Sequence, residues 1–136
     1  MDIKQWVEKH SDQFYAVFRI GVGALFFMLG VQKIGGLWGM PGCAAVAWTL
    51  VLFAGIFELM IGAALIFGVL TRLASFFGVI MMAVAYYLGH VMTGGWNPTV
   101  NMGIPALVFG LAFLATFAYG ARTASLEQRF FGKESF

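Results

Sequence analysis

A carboxylate in the middle of an apolar run constrains this chain more than any other feature. Glu58 stands at the centre of residues 46–70, with twelve uncharged residues before it and twelve after it. A mainly apolar run of about 18 residues or more reads as a membrane-crossing helix. An acidic side chain at its centre costs several kcal/mol on insertion scales, so it is read first as a functional residue. The remaining composition agrees. Of 136 residues, 61% are hydrophobic and 10% charged, against about 25% charged in soluble domains. The length allows one domain, residues 1–136, of about four spans with short connections.

The expected fold is an all-α integral membrane protein: a four-helix transmembrane bundle with both termini cytoplasmic and a short N-terminal interfacial helix. Ile3, Trp6, Val7 and His10 form an apolar stripe at helical spacing, with Lys4, Glu8 and Lys9 off it, as suits a helix lying on the membrane surface. The polar start also argues against a cleavable signal peptide. The spans are expected at about 14–31, 44–70, 73–92 and 102–121, followed by an amphipathic tail, 122–136. Thr71-Arg72 is read as the tight turn between the second and third spans. Residues 93–101 carry strong helix breakers and form a polar loop. Pro105 falls in the first turn of the fourth span, where a missing donor costs least. Lys4, Lys9, Arg72, Arg122, Arg129 and Lys133 lie on one side of this layout and Lys33 alone on the other. Six against one puts both termini in the cytoplasm. Trp38, Trp48 and Trp96 then form an outer aromatic belt, and Trp6, Tyr15 and Tyr119 an inner one.

Helical spacing groups the polar residues into stripes. Arg19, Gly23, Phe26, Gly30 and Lys33 share one face of the first span. Ala47, Val51, Ala54, Gly55, Glu58, Gly62 and Leu65 share one face of the second. Asn101, Pro105, Val108, Ala112, Ala115 and Tyr119 share one face of the fourth. Small residues let membrane helices approach closely, so the polar stripes are expected to face the bundle interior. Counted from the cytoplasmic edge, Arg19 lies roughly 8 Å deep, Glu58 18 Å, His90 25 Å and Lys33 28 Å. Side chains lean toward their own helix N-terminus. Arg19 and Glu58 therefore point apart, whereas Glu58 converges with His90 or with Lys33.

The expected site is a polar pocket in the outer half. Glu58 and His90 are its candidate catalytic residues; Lys33, Tyr86, Asn101 and Arg19 are the candidate cofactor-binding ones. Arg19 is the outlier, expected to snorkel to the inner interface or to meet Tyr119. Each residue also has a plainer reading. Glu58 could be a hydrogen-bonding post, His90 a solvated interface residue, Lys33 an interface anchor, Tyr86 part of a belt and Asn101 a helix cap. Cys43 is the only cysteine, so the chain cannot build a dithiol centre or a multi-cysteine metal site. No metal or haem motif, nucleophile triad or phosphate loop is present, and the basic residues are too scattered for nucleic acid.

These residues carry a resemblance. The stretch Arg19-Ile-Gly-Val-Gly-Ala-Leu-Phe-Phe-Met-Leu-Gly30-Val-Gln-Lys33 resembles the first-span pattern of the DoxX family. The run from Glu58 through Gly68 to Thr71-Arg72 is similar to that family's most specific stretch. His90 ending the third span, Asn101 opening the fourth, and Gly120-Ala-Arg-Thr-Ala-Ser125-Leu-Glu127 are similar to its later landmarks. Ala121 and Glu127 depart from it, standing where the pattern has glycine or proline and aspartate.

The resemblance implies a four-helix bundle in a bacterial or archaeal cytoplasmic membrane. It also implies an association with quinone-linked redox chemistry, as in the membrane subunit of thiosulfate:quinone oxidoreductase, or with thiol-stress and metal-handling systems. Cysteine-bearing relatives imply thiol–disulfide exchange with quinone, for which this chain has Cys43 alone. The expected function is the membrane subunit of a quinone-linked oxidoreductase. Its partners would be membrane lipid and a protein supplying electrons, with a homo-oligomer as a further option. The alternatives are a non-catalytic anchoring subunit of a larger complex and a proton-coupled carrier of a small solute.

Overall fold

The structure is a computed structural model that describes residues 2–38 and 50–132. All regular structure among them is helical. The helices are α1 (Ile3–Lys9), α2 (Ser11–Gly35), α3 (Leu50–Phe67), α4 (Thr71–Tyr86), α5 (Ile104–Tyr119) and α6 (Leu126–Phe131). A π-helical turn, Tyr87–Val91, and a last turn, Met92–Gly94, extend α4. Three of these stretches are long and apolar enough to cross a membrane: Ser11–Gly35, Leu50–Phe67 and Thr71–Gly94. The fourth apolar helix, Ile104–Tyr119, has 16 residues, which is about 24 Å. The first part of the expected second span, residues 44–49, lies outside the described residues, as do Cys43, Trp48 and Lys133.

The helices pack in two pairs, α2 with α3 and α4 with α5. In the first pair the backbones themselves meet. A Cβ on Gly62 would lie 2.6 Å from Phe27 N and 2.8 Å from Gly23 O, and one on Gly30 would lie 2.7 Å from Gly55 O. Only glycine permits this approach, the small-residue device of membrane helix packing. The second pair is joined by a ring and a hydrogen bond. Phe113 seats its ring where a Cβ on Gly78 would stand, and the buried hydroxyls of Ser75 and Thr116 are 2.7 Å apart. Phe26 of α2 meets Phe113 of α5 edge-on at 4.8 Å, which links the two pairs through the core.

The stripes expected on the first two spans are largely the buried faces. Arg19, Gly23, Phe26 and Gly30 are buried on α2, and Gly55, Glu58, Gly62 and Leu65 on α3. Val51, however, is exposed. The stripe expected on the fourth span faces the wrong way. Val108 and Tyr119 are 57% and 55% exposed, while Ala106, Phe113 and Thr116 are buried. The reason is that α5 buries what α4 requires, a ring for Gly78 and a hydroxyl for Ser75. The polar ends of the expected stripe did not set the facing.

The turn between α3 and α4 also moves. Gly68 adopts φ 64, and Val69 N–H returns to Ala64 O at 3.0 Å, a left-handed glycine closure of a helix end. Thr71 and Arg72 are thus already the first turn of α4, not the connection. The two outer connections lie at opposite ends. At one end the start of α2, the α3–α4 turn and the segment after α5 are bonded together. At the other, the π-helical turn meets the 95–103 loop.

Candidate functional site

Among the described residues three charged side chains are buried: Arg19 and Glu127 at one end of the bundle and Glu58 further along. Arg19 is fully buried. Its guanidinium donates to the carbonyls of Ala121 at 2.5 Å and Ala124 at 2.7 Å. These belong to the strap 120–125, which folds back under the bundle after Gly120 takes φ 72. The strap is bonded on all sides. Tyr15 Oη donates to Gly120 O at 2.8 Å, Ser125 Oγ donates to Gly68 O at 2.6 Å, and Arg122 pairs with Asp12 at 2.7 Å. Glu127, 4% exposed, accepts from Leu70 N–H at 3.0 Å. Arg19 therefore does not snorkel. The cation over the Tyr119 ring is instead that of Arg122, at 5.3 Å. A guanidinium has donors enough for several carbonyls, which is why arginine can close this end.

Glu58 is 2% exposed. Its Oε1 accepts a charge-assisted hydrogen bond from the Lys33 ammonium. Its Oε2 is buried with no hydrogen-bond partner among the described residues. The pairing of Glu58 with Lys33 rather than with Arg19 agrees with the lean of the side chains along their helices. The glycine contact between Gly30 and Gly55 places α2 close enough for Lys33, one turn on from Gly30, to reach across.

Both residues line a groove of about 650 Å³ between α3 and α4, which His90 also lines. Leu50, Phe53, Phe57 and Leu88 form an apolar and exposed rim. His90 owes its place to the π-helical turn. The wider turn breaks the α-helical phase, and Nδ1 of His90 lies 2.9 Å from Asn101 O. Such single wide turns are frequent at functional sites. The sequence carries no signal for it beyond Gly89 beside His90.

Asn101 and Tyr86 lie beside the site and do not line the groove. The Asn101 side chain accepts from Gly103 N–H at 2.8 Å and donates to Gly95 O at 2.7 Å. It closes the loop, while Gly103 is the N-cap of α5. Tyr86 Oη donates to Trp96 O at 2.7 Å. Of the six candidate residues, the fold thus gathers Lys33, Glu58 and His90 on the groove, spends Tyr86 and Asn101 on the loop that orients His90, and uses Arg19 at the far end. Sequence reasoning missed Phe57 and Phe77, which narrow the groove. A phenylalanine in an apolar run gives no sign of lining a cavity.

The geometry defines a class: a helical membrane protein with an ion pair at the edge of an apolar interhelical groove. A profile of the DoxX family matches residues 14–91, and the chain belongs to that family. An uncharacterised protein of Haemophilus influenzae is 34% identical over 134 residues, which cover 93% of this chain and 98% of that one. No solved structure matches the chain significantly.

Proposed function

We propose that this chain is the membrane subunit of a quinone-linked oxidoreductase and that the α3–α4 groove holds the quinone headgroup. The observation that carries this reading is Glu58: it lines an apolar groove, and its Oε2 is buried without a hydrogen-bond partner among the described residues. A buried polar atom left unpaired costs about 1–3 kcal/mol, so its retention calls for a ligand. The apolar rim suits a lipid-soluble molecule entering from the bilayer. When bound, a quinone supplies a carrier of two electrons and two protons. The chain's own residues hold the ring, exclude water and carry a proton at Glu58, which Lys33 keeps in place. Electrons come from a partner protein. In this reading the chain crosses a bacterial or archaeal cytoplasmic membrane four times, α5 being the fourth span, with both termini inside.

A second reading rests on the same ion pair. Lys33 and Glu58 join α2 to α3 beside the Gly30–Gly55 contact, so the pair could serve only to fix helix register in an anchoring subunit. Purification from the native cells in mild detergent separates the two. Mass spectrometry should find bound quinone and a stoichiometric redox protein, and Glu58→Gln should abolish quinone-linked turnover in that complex. A complex that assembles and turns over normally with Glu58→Leu would leave the anchoring role.

A further inference from the structure

The seam between α3 and α4 has a pattern of bulk. The groove that Lys33, Glu58 and His90 line also takes in Ala54 of α3 and Ala85 of α4. A second cavity, of about 240 Å³, lies farther along the same seam and takes in Ala64 of α3 and Ala74 of α4. The two cavities share Phe57 of α3 and Phe77 of α4. Each helix thus puts an alanine in either cavity and a phenylalanine where the cavities meet. Small residues let membrane helices approach closely. Here α3 is drawn to α2 and α4 to α5, so the alanine positions stay open.

The seam also has one polar end. Lys33, Glu58 and His90 all line the first cavity. The second is lined by apolar side chains, Met60, Leu70 and Leu73 among them. Along α3 the lining runs from Leu50 to Ala64, about 21 Å of helix rise. The ammonium of Lys33 and the carboxylate of Glu58 pair and offset each other. The polar end therefore suits an uncharged head better than a phosphate or a fatty-acid carboxylate. The rest of the seam suits a single narrow hydrocarbon chain.

We infer that the seam recognises the tail of its ligand as well as the head. An uncharged quinone head lies beside Lys33, Glu58 and His90, and its tail runs past Phe57 and Phe77 into the second cavity, not outward over the rim of the first. This rests on the headgroup reading above and adds where the tail goes. Ala64 is the specificity-determining residue, because its small side chain leaves the second cavity open. Lipid chains are as apolar as the seam, so the tail is selected by shape, and its position is the quantity to measure.

The test is photolabelling of the full chain in lipid nanodiscs with a benzoquinone whose decyl tail ends in a diazirine. Mass spectrometry reads the labelled residues, with and without an excess of plain decyl-benzoquinone. Labels that the excess suppresses should fall on Met60, Ala64 or Leu73. Ala64→Phe fills the second cavity, so it should lose most of that label and gain label at the rim, on Leu50, Phe53 or Leu88. A variant that keeps its label on Met60 and Leu73 would overturn the role of Ala64. Suppressible labels confined to the rim of the unmodified chain would overturn the tail's path and leave the headgroup reading standing, and this arm needs no variant to fold. No suppressible label on the seam would overturn both.

Discussion

The two ends of this bundle each contain a buried charge, and they handle it differently. At the strap end, the two terminal nitrogens of Arg19 donate to the carbonyls of Ala121 and Ala124, and the surrounding turn, strap and helix start are bonded to one another. At the groove end, Glu58 has one oxygen on Lys33 and one with no hydrogen-bond partner among the described residues. The first arrangement holds three chain segments together. The second joins two helices beside an apolar groove. A buried charge in a membrane chain is thus not by itself a sign of chemistry: what lies beside it, a bonded strap or an apolar groove, separates the two ends.

Variants at the two ends should differ in kind. The largest effect is expected for Arg19→Leu. It leaves the buried carbonyl of Ala121 and the part-buried one of Ala124 without this donor and should cost about 3 kcal/mol or more, read as a loss of detergent-stable folded protein. Thermal denaturation of purified protein checks it, and unchanged stability would sink the structural reading of this end. Next comes Gly62→Val, whose Cβ would press on the backbone of Phe27 and Gly23. It should cost about 1–3 kcal/mol by overpacking and also weaken the Lys33–Glu58 pair, since both depend on the spacing of α2 and α3. A cysteine crosslinking series across α2 and α3 reads that spacing.

Glu58→Gln is the sharpest contrast with Arg19→Leu. The amide retains an acceptor for Lys33, so stability should change by no more than about 1 kcal/mol while quinone-linked turnover is lost. If the two variants lost equal stability, the distinction between the ends would dissolve. The smallest effect is expected for Ser75→Ala. The Ser75–Thr116 bond should be worth about 0.6 kcal/mol in a membrane setting, and Thr116 keeps its bond to Phe113 O. A shift of several degrees or more in the melting temperature would mean that this hydroxyl pair carries more of the α4–α5 contact than Phe113 does.

Much of the groove end was legible in the sequence, and much of the strap end was not. Glu58 is conspicuous because everything around it is apolar, and its convergence with Lys33 follows from helix rise and side-chain lean. His90 could be placed at a span end, but not turned onto Asn101, because a π-helical turn is a matter of one residue's phase. Composition reads the strap 120–125 as a polar tail, and the family resemblance marks it without saying what it bonds. Its carbonyls are backbone atoms, which no residue type announces, and the left-handed conformations at Arg122 and Ala124 fall on residues that rarely adopt them. The buried Glu127 gives the same lesson. It looks like one more tail charge until Leu70 N–H is found against it.

By itself, the sequence determined the class, the helix periodicity and the inward faces of α2 and α3. The physical reason is local: a lipid-soluble backbone must bond within its own helix, and glycines seven residues apart, Gly23 with Gly30 and Gly55 with Gly62, leave only one face for close approach. The tertiary structure alone decided which face α5 buries, that α3 and α4 part to leave a groove, and which charged residues line it. Those outcomes depend on what the neighbouring helix presents at contact distance, Gly78 for Phe113 and Lys33 for Glu58, and a hydrophobic pattern read along one helix contains no record of its neighbour.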